Sequence, residues 1–120
     1  MGQTNKKNLG NPDETRNFPS GKLDVVKVGD LVFGKATFQP GWKWSECIKP
    51  IAGTESCQVH HVGTLLSGHM HVVHDDGTEQ EVGPGQAYTI DPGHDAWVVG
   101  DEPVLGYEFE PKAAETFAKG

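Results

Sequence analysis

Between His61 and Trp97 the chain is cut into short apolar runs by a turn signal every few residues: Ser67-Gly68, Asp75-Asp76-Gly77, Pro84-Gly85 and Asp91-Pro92-Gly93. Runs this short, punctuated roughly every 8–12 residues, leave no room for long helices or βαβ units and predict an all-β sandwich or barrel. The 16 glycines and 8 prolines of the 120 residues are spread along the chain, so they mark many turns and not one disordered tract. A chain of this length makes one domain, able to bury roughly two-thirds of the surface it exposes when unfolded. A small closed barrel encloses a pocket, and histidines at its strand positions can point into it.

Residues 1–20 are polar and carry almost nothing apolar, so they are expected to form a flexible arm, or an arm ordered only by a partner subunit. The barrel is expected over 21–112, with strands at Lys22 to Val28, Leu31 to Phe38, Trp42 to Ile48, Cys57 to Leu66, His69 to His74, Glu79 to Val82, Gln86 to Ile90, Ala96 to Val99 and Val104 to Glu110. In the last run Leu105, Tyr107 and Phe109 alternate with Glu108 and Glu110, the period of two of a half-buried strand. A tail follows at 113–120, with one helical turn expected within Lys112 to Ala118.

The formal charge of −7 and the isoelectric point near 5.2, with no cluster of Lys or Arg, argue against nucleic acid and anionic membrane as partners. No apolar run approaches the ~20 residues of a membrane span, and no basic-then-apolar leader precedes the barrel, so a cytoplasmic location is expected. Met1-Gly2 begins like a myristoylation signal, but Lys6 stands where that signal wants Ser or Thr. Cys47 and Cys57 lack a secretory context, which favours free thiols or a metal thiolate over a disulfide. No Gly-rich phosphate cradle and no serine in a nucleophile elbow are present.

Strand parity sorts the histidines, because successive side chains face opposite sides. In Cys57 to Leu65 the odd positions, Cys57, Val59, His61, Gly63 and Leu65, form the better core face, so His61 points in and His60 out. A two-residue hairpin at Ser67-Gly68 would pair the flanking runs, set His61 opposite His74, place Met70 and Val72 inside and put His69 and His71 outside. In Trp42 to Ile48 the same parity puts both tryptophans, Glu46 and Ile48 on one buried face, where a carboxylate needs a partner or a metal. The tryptophans read more readily as core or dimer-interface anchors than as a stacking platform.

Three phrases, Pro40-Gly41-Trp42-Lys43-Trp44-Ser45-Glu46, His61-Val62-Gly63 with Leu66-Ser67-Gly68, and Pro92-Gly93-His94-Asp95-Ala96-Trp97, resemble small bacterial single-domain members of the cupin superfamily of unassigned activity. The likeness spans residues 40–115. It implies a cupin-type double-stranded β-helix, or jelly-roll barrel, in which Pro40-Gly41 opens the first motif, Gly68 closes it, and Gly85 and Gly93 sit in the second. Counting back from Gly68 puts His61 where the family carries its glutamate, whereas Ala96 stands at the family's second-motif histidine, two residues after His94, and Gly100 at its asparagine. The family's usual ligand set is therefore replaced, and the candidate set here is His61, His94, Glu46 and Cys57.

These side chains would hold one divalent ion. Imidazole and carboxylate suit Fe, Mn, Ni or Zn, and a thiolate tilts the choice toward Zn. Three ligands and an open position would let the ion polarise a substrate oxygen, so the chain is expected to act on or sense a small organic acid or carbonyl compound, and the resemblance to the family implies a metal-dependent oxidoreductase or isomerase. The plain alternative is a metal-free binding or assembly cupin, with His61 a hydrogen-bonded core histidine, Cys57 small packing, Glu46 paired with Lys43 or Lys49, and His94 and His74 decorating turns. A homodimer is expected, because barrels of this family commonly pair through sheet edges.

Overall fold

The computed structural model describes residues 2–109. Nine strands and two single-turn helices alternate as β1 Glu14–Phe18, β2 Gly21–Val28, β3 Leu31–Phe38, α1 Trp44–Cys47, α2 Lys49–Ala52, β4 His61–Ser67, β5 His69–His74, β6 Glu79–Val82, β7 Ala87–Ile90, β8 His94–Val99 and β9 Val104–Glu108. They form two antiparallel sheets, one in the order β1-β2-β3-β9-β4-β7 and one in the order β6-β5-β8. The core lies between them, built from inward positions of both: Leu23, Val25, Ala36, Phe38 and Leu65 from the larger sheet, Met70, Val72, Ala96 and Val98 from the smaller. Each fully buried aliphatic side chain contributes on the order of 1.5–3 kcal/mol.

The strand limits expected from the turns hold closely for β2, β3, β5, β6 and β7, whereas three readings change. The first is the arm: Glu14–Phe18 pairs with β2 as the outer strand of the larger sheet, with Arg16 and Phe18 on its buried face. Phe18 packs against Phe38 with ring centroids 6.0 Å apart, which supplies the apolar contact that the polar composition of 1–20 seemed to deny it. The proposed C-terminal turn and tail at 112–120 lie outside the described residues.

The second change is the Ser67-Gly68 bend. It does not close a hairpin: β4 pairs with β7 and β9, while β5 pairs with β6 and β8. A register shift between Leu65 and Ser67, followed by Gly68 at φ 77°, turns the chain from one sheet into the other. A Cβ at Gly68 would lie 2.5 Å from the Pro103 carbonyl oxygen, so this corner requires glycine for space as well as for its backbone angle. His74 therefore faces His94 in the β5–β8 ladder, and not His61.

The third is the Trp42 to Ile48 run, expected as a strand: Lys43 makes one antiparallel bridge to Trp97, and Trp44–Cys47 is helical. Trp44, Cys47 and Ile48, at a spacing of three and four, turn their side chains into the core. The Ser45 amide donates to Asp95 Oδ1 at 3.1 Å, tying α1 to β8. With the parity of a strand gone, Glu46 is carried to the exposed side. In β9 the period of two is present but inverted: Val104, Gly106 and Glu108 are buried and Phe109 is 44% exposed.

Candidate metal centre

Cys57 reaches the interior through a local clamp, outside any strand. Its amide donates to the His94 carbonyl at 2.7 Å, and its own carbonyl accepts from Gly93 at 2.7 Å and from His94 at 3.3 Å. This bridge sets Cys57 beside the first residue of β8. His61 opens β4 with its side chain on the inward face, as parity required, and is paired with Ile90 of β7. The outcome is one buried cluster in which Cys57, His61 and His94 are 1%, 6% and 3% exposed and offer ligand atoms all within 4.8 Å of one another.

The far side of each imidazole is fixed. His94 Nδ1 lies 2.8 Å from the Asp91 carbonyl oxygen, which accepts only, so Nδ1 donates there and Nε2 is the ring nitrogen left to the cluster. His61 Nδ1 donates to Glu108 Oε1, and its Nε2 faces Cys57 Sγ at 3.6 Å. The other oxygen of Glu108 accepts from the Tyr88 hydroxyl at 3.0 Å. A carboxylate or carbonyl behind each ring nitrogen is the arrangement that orients histidines toward a metal.

Charge follows the same geometry. Burial pushes the Cys57 thiol up, but hydrogen bonds and attraction from His61 and His94 outweigh it and bring its pKa down to about 6. Burial works against the charged form of His61, yet the Glu108 carboxylate and Cys57 overcome it and raise the imidazole well above its usual range. Burial, then the Glu108 charge, raises Tyr88, which stays a phenol and a donor.

A cavity of about 40 Å³ adjoins the cluster, lined by His61, His94, Glu108 and Tyr88 and by apolar side chains including Trp42, Leu65 and Met70. It has room for a solvent molecule or two but not for a whole metabolite. Trp42 Nε1 is buried and has no hydrogen-bond partner among the described residues.

Of the four residues proposed from the sequence, the fold brings Cys57, His61 and His94 together and leaves Glu46 out, exposed on α1. The carboxylate in the site is Glu108, which sequence reasoning passed over as an outward residue of a half-buried strand. One signal was available: Gly106, two residues before it on the same face, has no side chain to obstruct that face. His74 stands at the rim, half-buried, with its ring 5.8 Å from that of His94. His60 stands outside, 3.7 Å from Asp91, and His71 lies 2.8 Å from Glu79.

No family model and no curated protein matches the sequence. Solved structures do match. A protein of unknown function from Rhizobium leguminosarum superposes with a TM-score of 0.63 at 20% identity, over 91% of this chain and 98% of that one. AerE from Microcystis aeruginosa gives 0.54 at 23% identity over 75% of this chain, which spans 40% of AerE's length. KdgF from a Halomonas species gives 0.53 at 20%, covering 78% of this chain and 82% of that one. The fold is the cupin jelly roll. At such identities the likeness speaks to architecture and not to substrate.

Proposed function

We propose that Cys57, His61 and His94 hold a divalent cation, zinc in preference to iron, manganese or nickel, and that the protein uses it to bind and act on a small organic acid or carbonyl compound. The observation that carries this reading is the convergence of three buried ligand atoms whose two imidazoles are each anchored from behind. The donor set fits the ion: two imidazole nitrogens with a thiol already disposed to ionise match zinc's preference for nitrogen and sulfur, and three protein ligands leave a position for substrate. A divalent ion supplies Lewis acidity toward a substrate oxygen.

The chain's own groups complete the site. Glu108 fixes the His61 ring with Nδ1 as its donor and Nε2 turned inward, and offsets part of the positive charge. Tyr88 keeps Glu108 oriented and retains its proton, so that it can donate to Glu108 or to a ligand oxygen. The Trp42 indole N–H, on the cavity wall, offers a further donor to that oxygen, and meeting it would relieve a buried unpaired donor that costs on the order of 1–3 kcal/mol.

A metal-free binding or assembly protein is the second reading. It is favoured by the direct contact of Cys57 Sγ with His61 Nε2, in which each group satisfies the other. Elemental analysis of protein purified without a nickel column separates the two. The first reading expects close to one metal per chain, lost in His61→Ala; sub-stoichiometric metal that is unaffected by His61→Ala overturns it. Free Cys47 and Cys57 suit the reducing cytoplasm expected for this chain. No helix among the described residues is long and apolar enough to cross a membrane.

A further inference from the structure

The 40 Å³ chamber is too small for a metabolite, so the body of any ligand must lie elsewhere. Strands β6 and β7 are consecutive but belong to different sheets, and each is an outer strand of its own sheet. The chain crosses between them at 83–86, and beyond that corner they do not pair. This unpaired seam forms a cleft of about 560 Å³, within the range of small-molecule sites. Val82, Tyr88 and Ile90 line both cleft and chamber, so the two share a wall. His74 lines the cleft with its ring centroid 5.8 Å from that of His94, so one residue separates the cleft from the nearest of the proposed cation ligands.

The cleft's polar groups specify a chemistry. Gln80, Gln86 and Thr89 line it with amides and a hydroxyl. Gln86 engages its Oε1 with the Gly83 amide at 2.7 Å, which leaves its amide nitrogen as a donor. Among the described residues that line the cleft there is no Lys or Arg, and Glu81 is its one carboxylate. A carboxylate or phosphate lying there would find no guanidinium or ammonium to neutralise it, and Glu81, which is exposed and opposite His71 on the outer face of β6, would oppose it at longer range. Hydroxyl groups, each both donor and acceptor, match amides and hydroxyls without that penalty.

We propose that the β6–β7 seam is the ligand-binding cleft and that it takes a neutral, hydroxyl-rich carbonyl compound, whose body lies against Gln80, Gln86 and Thr89 while its oxygen-bearing end passes Tyr88 and Ile90 toward Cys57, His61 and His94. This rests on the proposed cation site only for the reacting end; the cleft's selectivity stands on its own side chains. Of the two substrate classes open above, it selects the carbonyl compound and rejects the organic acid.

The test is binding of D-ribose, D-xylose and D-glucose against ribonate, xylonate and gluconate, followed by amide chemical shifts of the full chain, both zinc-loaded and metal-free. The expected result is millimolar binding of the sugars, with shifts centred on His74, Gln80 and Thr89, and acids at least about tenfold weaker. Gln80 and Thr89 are exposed, so substitution leaves the core intact. Thr89→Val is expected to weaken the sugars several-fold, and Gln80→Lys to reverse the preference toward the acids. Acids bound as tightly as sugars by the natural chain, an unchanged preference in Gln80→Lys, or no shifts at the cleft from either set overturns the proposal. Sugar binding in protein that fails to take up zinc upholds the cleft and refutes the cation site.

Discussion

Glu108 presents one oxygen to His61 and the other to Tyr88, so a single carboxylate sets both the orientation of a ligand and the position of a phenol. Glu108→Gln keeps the size and removes the charge; it should lower zinc affinity roughly 10–100-fold while leaving the fold intact, as read by competition with a chromogenic chelator and by circular dichroism. Gly63 makes room for this arrangement. A Cβ there would lie 2.1 Å from the Tyr107 carbonyl oxygen, 2.8 Å from the Tyr88 hydroxyl and 2.9 Å from Glu108 Oε2. Gly63→Ala should therefore destabilise the protein by at least ~1–3 kcal/mol in urea unfolding, through overpacking against backbone that cannot yield. In metal-free protein the thiolate absorbance of Cys57, taken as the difference from Cys57→Ser, should appear as pH rises through about 6 and not near the ordinary value of 9.0. His61→Gln removes the charged neighbour and leaves burial as the larger influence, so the same titration should move upward.

At the scale of elements, legibility depended on whether a signal was local. Turn residues act on the chain beside them, and the limits of β3, β5 and β6 were readable from Gly, Pro and Asp positions alone. Inward parity within β4 was equally local, which is why His61 was placed correctly on the interior face. Pairing was not local: Ser67-Gly68 satisfies a hairpin and a sheet-switching corner equally well, and only the partners β9 and β8, distant in sequence, decide between them. The Trp42 to Ile48 run was ambiguous for another reason, since Trp42, Trp44 and Ile48 fit a period of two while Trp44, Cys47 and Ile48 fit a helix. That ambiguity selected Glu46, whereas Glu108 was hidden by the inverted parity of β9, where the polar position and not the apolar one faces in. Glu46→Gln should accordingly leave metal stoichiometry unchanged, a direct contrast with Glu108→Gln. Phe18→Ala should cost about 3 kcal/mol in thermal or urea unfolding, because the ring holds β1 against Phe38.

For the whole molecule, the two sheets divide the labour. The larger sheet supplies His61 and Glu108, the smaller supplies His94, and Cys57 is clamped to the latter's first residue, so the cluster exists only when both sheets are packed. Metal binding should therefore be coupled to folding, with added zinc raising the melting temperature of the natural chain and not that of Cys57→Ser. Leu31, 58% exposed, opens β3, Phe109, at 44%, directly follows its neighbour β9, and β1 leaves an open strand edge. Light scattering at micromolar concentration should give twice the chain mass of 13.0 kDa if these surfaces pair as expected of a homodimer. The site itself is tested most directly by anomalous diffraction at the zinc edge from crystals of zinc-loaded protein. A single peak within coordination distance of Cys57 Sγ, His61 Nε2 and His94 Nε2 is the predicted result; no peak among these three atoms, with Cys57 and His61 still in mutual contact, would contradict it.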